Sequence, residues 1–267
     1  MKPLLTSVCA LVLFASGLCP LFAQQTSAQQ KPPAATGDAD RMADKEPAAM
    51  DALNRMGAFL RTLKAFQVEA QVTDETVLDD GQKIQLAHRT NLLARQPDRF
   101  MAETEGDTGS RQFLYDGKTF TLFARHAGFY ATAPAPPTLK QLVTVLNEKY
   151  DLEVPLTDLF LWGQGDNSDA AAITSATDIG PGQVGGVSCE HYVFRQEGLD
   201  WQVWIQNGDY PLPRKLVLTT TTDDARPQHS SILTWNLAPA YNERAFEFDP
   251  PPGTHKIIFA SDKASAK

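Results

Sequence analysis

The stretch Phe66-Gln67-Val68-Glu69-Ala70-Gln71-Val72 alternates apolar and polar side chains without a break. Successive side chains of a β-strand point to opposite faces, so Phe66, Val68, Ala70 and Val72 share one surface and Gln67, Glu69 and Gln71 the other. One face is suited to a core and the other to water. Asp79-Asp80-Gly81 follows as a hairpin turn, because glycine tolerates positive φ. Residues 83–95 read as the returning strand, with Ile84, Leu86 and Leu92 among its apolar positions. Pro97-Asp98, Gly106-Asp107-Thr108-Gly109 and Asp116-Gly117 are further turns, separating strands at 99–104, 111–115 and 119–124. Another short strand follows at 128–132. Strands joined by such short turns, with no helix between them, form an antiparallel meander.

Upstream, the period is helical. Pro47 suits a first helical turn, and Met50, Leu53, Met56, Leu60 and Leu63 then recur at spacings of three and four. This predicts a helix over 47–64 whose stripe packs on the sheet. Downstream, Pro134-Ala135-Pro136-Pro137 breaks the meander. Leu139, Leu142, Val143 and Leu146 restart a helical period, and 156–162 reads as a second short helix ended by Gly163 and Gly165. Residues 138–165 are therefore expected as a helical insertion across the sheet. Strands resume at 171–178, 187–195, 199–206, 214–222 and 228–237, with Gly180-Pro181-Gly182 and Gly185-Gly186 read as a turn. Asp249-Pro250-Pro251-Pro252-Gly253 is a stiff loop before a last short strand at 256–259. The expected class is α+β, mainly antiparallel β, with about eleven strands. A sheet of that size curls or splits rather than staying flat.

The chain has 267 residues, with 24 Lys+Arg against 32 Asp+Glu and a formal net charge of -8. An acidic chain is poorly suited to neutralising phosphates, so no nucleic-acid partner is expected. The N-terminus, MKPLLTSVCALVLFASGLCPLFAQQ, has one cation, Lys2, before an apolar stretch and a small residue at Ala23. It reads as a secretory signal over 1–23, with Ala28 as a second cleavage position, and no membrane span is expected after its removal. Cys19 follows Leu18, whereas lipid attachment needs a small residue there, so no lipid anchor is expected. The mature chain keeps one cysteine, Cys189, and no intramolecular disulfide. Residues 24–45 are rich in Gln, Ala, Pro and Asp and read as a flexible linker. The folded domain is expected over 46–260, followed by a frayed tail at 261–267.

Several segments resemble a known family. Arg95-Gln96-Pro97-Asp98-Arg99-Phe100, Tyr115-Asp116-Gly117-Lys118-Thr119-Phe120 and Phe246-Glu247-Phe248-Asp249-Pro250-Pro251 are similar to an uncharacterised family of predicted periplasmic proteins, domain of unknown function 2092. So are Cys189-Glu190-His191-Tyr192-Val193-Phe194-Arg195, and Trp201-Gln202-Val203-Trp204-Ile205 followed by Pro211-Leu212-Pro213-Arg214-Lys215. That family is in turn similar to the periplasmic lipoprotein-carrier fold, whose members include lipoprotein chaperones, lipoprotein receptors and a stress-response regulator. The resemblance implies a periplasmic location and a strongly curved, incomplete barrel with helices covering its concave face. It implies no reaction and carries over no functional residue.

A concave apolar face is either filled or holds a guest. Trp201, Val203 and Ile205 share one strand face and, with Trp235, Leu233, Phe120 and Leu122, are the candidate lining of an apolar pocket. The other reading of the same residues is close-packed core. Trp204, on the polar side of its strand, covers an edge, meets a partner or lies beneath a loop. Arg95 and Arg99 flank a hairpin: turned inward they are candidate latches that hold a helical lid through its carbonyls, and the other reading is exposed edge charges that discourage aggregation. Cys189 and His191 point the same way, but two ligands do not make a zinc site, and His88, His126, His229 and His255 are scattered along the chain. Same-strand neighbours rarely aim at one reacting atom, so no catalytic residue, cofactor or metal is expected. Gly180-Pro181-Gly182-Gln183-Val184-Gly185-Gly186 lacks the following helix that a phosphate loop needs. The function expected is that of a periplasmic carrier for a lipid or a lipoprotein acyl chain, not an enzyme. The alternative is a ligand-free module that meets another envelope protein or serves as a sensor.

Overall fold

The computed structural model describes residues 45–150, 152, 154–156 and 168–260. The expected signal, nearly all of the linker, all but the first residue of the short helix at 156–162, and the tail lie outside the described residues. Helix α1 (Pro47–Thr62) opens the fold. It leads into the meander β1 (Ala65–Val77), β2 (Lys83–Arg95), β3 (Arg99–Gly106), β4 (Gly109–Tyr115), β5 (Thr119–Ala124) and β6 (Phe129–Pro134). Helix α2 (Leu139–Tyr150) and the short α3 (Ser168–Ala172) precede β7 (Ile173–Val184), β8 (Val187–Gln196), β9 (Leu199–Gln206), β10 (Pro213–Thr220) and β11 (Gln228–Asn236). A 3-10 turn (Glu243–Phe246) and β12 (His255–Ile257) are the last elements of the described residues.

Among the described residues twelve strands form one sheet in the order β12-β6-β5-β4-β3-β2-β1-β11-β10-β9-β8-β7. The sheet is curved and open, an incomplete barrel rather than a closed one. Two meanders meet where β1 pairs antiparallel with β11, Val68 opposite Trp235 and Ala70 opposite Leu233. Strand β12 runs parallel to β6, because a long connection returns the chain from the far meander. The expected turn at Gly180-Pro181-Gly182 is instead part of β7, which continues to Val184 through a register shift between Asp178 and Gly180. A proline is tolerated there because β7 is an edge strand with one unpaired side. Only Gly185-Gly186, both at positive φ, make the turn.

Helices α1 and α2 cover different halves of the same face. The apolar stripe of α1 (Ala49, Ala52, Met56, Leu60) packs on Ile173, Tyr192, Phe194, Trp201, Val203 and Leu216 of β7–β10. Leu139, Leu142 and Leu146 of α2 pack on Phe66, Val68, Leu92, Phe100, Phe113, Tyr115 and Phe120 of β1–β5. Leu63, Trp235 and Leu237 touch both clusters and join them. Thr138 starts α2 with a reciprocal cap, its Oγ1 bonded to Gln141 Oε1 at 3.0 Å and accepting the Gln141 N–H at 3.4 Å. Among the described residues, no helix is long and apolar enough to cross a membrane.

Candidate functional site

The two helices leave part of the concave face uncovered. A cavity of about 1070 Å³ lies between α2, the segment that follows it, and the ends of β1–β4 and β9–β11. Its apolar wall is Val72, Leu86, Phe113, Leu199, Leu216, Leu218 and Leu233 from the sheet. Val143 of α2 and Leu152, Val154 and Leu156 close the opposite side. Val143 and Asn147 lie one position round the helix from the buried stripe Leu139, Leu142, Leu146, so α2 seals the core with one stripe and borders the cavity with the next. Leu156 holds a left-handed backbone at φ 60, unusual for a branched side chain.

Polar groups gather at the strand ends of the same cavity. Asp74 lies on the inward face of β1, two residues beyond Val72. His229 stands opposite Asp74 on β11, and His88 opposite Val72 on β2. The Asp74 carboxylate holds His229 Nδ1 at 2.6 Å and His88 Nδ1 at 3.4 Å. Burial pushes the His88 pKa below the ordinary imidazole value, and this outweighs the opposing pull of Asp74. Nearby Thr90 and Thr104 bond through their hydroxyls at 3.0 Å, with Arg111 opposite Thr104 on β4. The scattered histidines of the sequence are thus partly assembled by sheet register. Among the described residues, no group of three or more His, Cys, Asp or Glu is arranged to hold a metal ion.

The sequence-derived lining divides. Leu233 borders the cavity. Trp201, Val203 and Ile205 face inward but lie beneath α1 in packed core, with Val203 fully buried. Phe120 is buried against Phe100, Phe113 and Phe259, and Leu122 packs on the same cluster. Trp235 sits between the two clusters and donates its Nε1–H to the Pro213 carbonyl at 2.8 Å. These six residues do not border the cavity, because the helices rest directly on them. The missed residues carry a signal that alternation hides. From Asp74, His88, Thr104, Arg111 and His229 the inward phase turns polar, at the strand ends that the buried helix stripes do not cover.

Arg95 and Arg99 are corrected in the same way. Ala94 and Phe66 are paired and inward, so Arg95 and its partner Arg99 project from the convex face, away from both helices. Arg95 approaches Glu243 of the 3-10 turn at 3.4 Å and Asp98 at 3.3 Å. Arg99 Nη1 donates to the Asp116 carbonyl, and its Nε lies 3.9 Å from Glu243. The groups that do reach the helices belong to the residues between them. Gln96 Nε2 donates to the Leu60 carbonyl at 3.3 Å, and the Pro97 carbonyl accepts the Leu139 N–H at 2.9 Å. This hairpin is therefore a node joining the end of α1, the start of α2, the β4–β5 turn and the C-terminal segment, at the opposite strand ends from the cavity.

Asp116 shapes that node. Its Oδ1 accepts the N–H groups of Lys118 at 2.8 Å and Thr119 at 2.6 Å, and its Oδ2 accepts the Thr119 hydroxyl at 3.0 Å. Burial alone would raise its pKa, but these bonds and the Arg99 charge together hold it below the usual carboxylate range. Asp116→Ala should cost about 1–3 kcal/mol, since it strands the turn's donors. A depressed folded pKa means that this contribution is complete above the ordinary carboxylate range and fades as pH falls through the folded value. Urea midpoints of wild type and variant should therefore differ at pH 7 and converge under acid; a constant gap would contradict the assignment.

On the convex face Trp204 stacks on His191 at 3.9 Å and 6°, beneath Lys215 at 4.7 Å. A Cβ on Gly182 of β7 would come within 3.2 Å of the Trp204 ring, so the tryptophan covers the outer strands toward that edge. Cys189 is buried, and that burial pushes its thiol pKa up, away from the thiolate a nucleophile requires.

A family model described as a predicted periplasmic protein (DUF2092) matches residues 49–260. No curated protein matches the sequence. Among solved structures, an uncharacterized conserved protein from Thermus thermophilus is 13% identical with a TM-score of 0.45, covering 79% of this chain and 99% of that one. LprF from Mycobacterium bovis is 12% identical with a TM-score of 0.42, over 79% of this chain and 99% of that one. The lipoprotein LppX from Mycobacterium tuberculosis is 9% identical with a TM-score of 0.39, over 74% and 99%.

Proposed function

The chain belongs to the DUF2092 family of predicted periplasmic proteins, and from that premise we propose that it is a periplasmic binding protein that carries an acyl chain in the concave cavity. The observation that carries the reading is the cavity itself. At about 1070 Å³ it lies just above the range of small-molecule sites, roughly 300–1,000 Å³. Its wall combines a leucine- and valine-rich interior with polar groups at one end, the distribution that an amphiphile requires. Burying each CH₂ of a chain would contribute about 0.8 kcal/mol. No residue is assigned a catalytic step.

Leu218 is the residue of choice for a test, because it borders the cavity and is only half-buried. Leu218→Trp should fill the space and lower uptake of a fluorescent fatty acid at least tenfold, while the urea midpoint stays close to wild type. In a filled core the same change would overpack and cost about 1–3 kcal/mol. A strongly destabilised variant, or unchanged uptake in a folded one, counts against the carrier reading. Absence of uptake by the wild-type chain favours instead a ligand-free module that meets another envelope protein.

A further inference from the structure

Resting on the acyl-chain reading of the cavity, we infer that the site selects amphiphiles with a single anionic headgroup and that Arg111 recognises the anion. The charges at the polar end decide this. Among the described residues lining the cavity Asp74 is the one carboxylate, and both its oxygens are engaged, with His229 at 2.6 Å and His88 at 3.4 Å. It forms no ion pair with the Arg111 guanidinium. Among the described residues Arg111 has no carboxylate partner, although it stands on an exposed rim. His88 is discouraged from taking a proton by its burial, and the Arg111 charge adds to that effect. Arg111 is therefore the permanent cation among the described residues of the cavity.

Register sets the rest of the subsite. Ala70, Thr90, Thr104 and Arg111 stand opposite one another across β1, β2, β3 and β4. The two threonine hydroxyls, bonded to each other, lie between the cation and the apolar wall that begins at Leu233, opposite Ala70. A guanidinium presents paired N–H donors that match the two oxygens of a carboxylate or a phosphate. An anion held there would have hydroxyls beside it, and its hydrocarbon chain would run inward over Val72, Leu216 and Leu233. A neutral ester would leave the guanidinium without a charged partner.

The test compares cis-parinaric acid with its methyl ester, titrated by fluorescence at pH 7.5 into the mature chain and into Arg111→Met. Wild type should bind the acid about tenfold more tightly than the ester, equivalent to about 1.4 kcal/mol. The preference should fall with added salt, because an exposed charge pair is screened. Arg111→Met should abolish the preference by weakening the acid alone, with ester binding reporting an intact cavity. Competition by palmitate against a single-chain lysophosphatidic acid separates the two sources of the anion, and displacement by either supports the assignment. Equal wild-type affinity for acid and ester, or a preference that survives in Arg111→Met, overturns the headgroup inference and leaves the cavity reading standing. Failure of wild type to bind either probe overturns both.

Discussion

Val203→Glu should prevent the chain from folding rather than merely emptying a pocket. Val203 is fully buried on β9, opposite Tyr192 and Leu216, within the cluster that α1 covers. A carboxyl group there would be either ionised without a partner or protonated without a hydrogen bond. Both states carry a desolvation cost of several kcal/mol, against a total stability of about 5–15 kcal/mol. The expected result is loss of the cooperative urea transition, or a midpoint so low that little native chain persists in buffer. A variant that unfolds like wild type yet has lost ligand uptake would return Val203 to the lining of a cavity and move α1 off that surface.

Phe120→Ala should be the next most damaging change, at about 3–5 kcal/mol. The Phe120 ring lies 6.4 Å from Phe100, 6.5 Å from Phe113 and 5.9 Å from Phe259, so truncation leaves a void bounded by three other aromatics. Phe259 also lies 5.1 Å from Tyr150 at the end of α2, which ties the C-terminal segment into the same core. The chain should still fold, with a reduced urea midpoint and an unchanged slope. Fatty-acid affinity measured below the transition should stay within a fewfold of wild type, because Phe120 does not border the cavity. A cost under about 1 kcal/mol together with a large loss of affinity would reverse that assignment.

The meander, the turns and the covering helices could be read from local chemistry. Alternation from Phe66 to Val72 selects a strand face, Asp-Gly pairs select turns, and a three-four spacing selects α1. Each of these signals is carried by neighbours along the chain. The exception at Gly180-Pro181-Gly182 is instructive. Its residues favour a turn, but an edge position leaves one side unpaired, so the strand runs on through the proline. The family motif around Pro97 was also legible as a pattern, but not its role. Arg95 and Arg99 face away from the helices because strand parity, not charge, sets their direction.

The lining of the cavity was the least legible part. Trp201, Val203, Ile205 and Leu233 are alike as inward apolar residues, yet three lie under α1 and one faces open space. Their own strands hold no information about where a helix ends. Likewise Asp74, His88 and His229 are far apart in sequence, and only the β2–β1–β11 pairing brings their side chains to one end of one face.

From its residues alone this chain determined which face of each strand is apolar, where it turns and how its helices bury their stripes, because those choices rest on interactions a few positions apart. Among the described residues, which part of the concave surface became solid and which stayed hollow was decided by how far two helices reach across twelve strands. That depends on long-range packing, where burial is shared among residues that no local period connects.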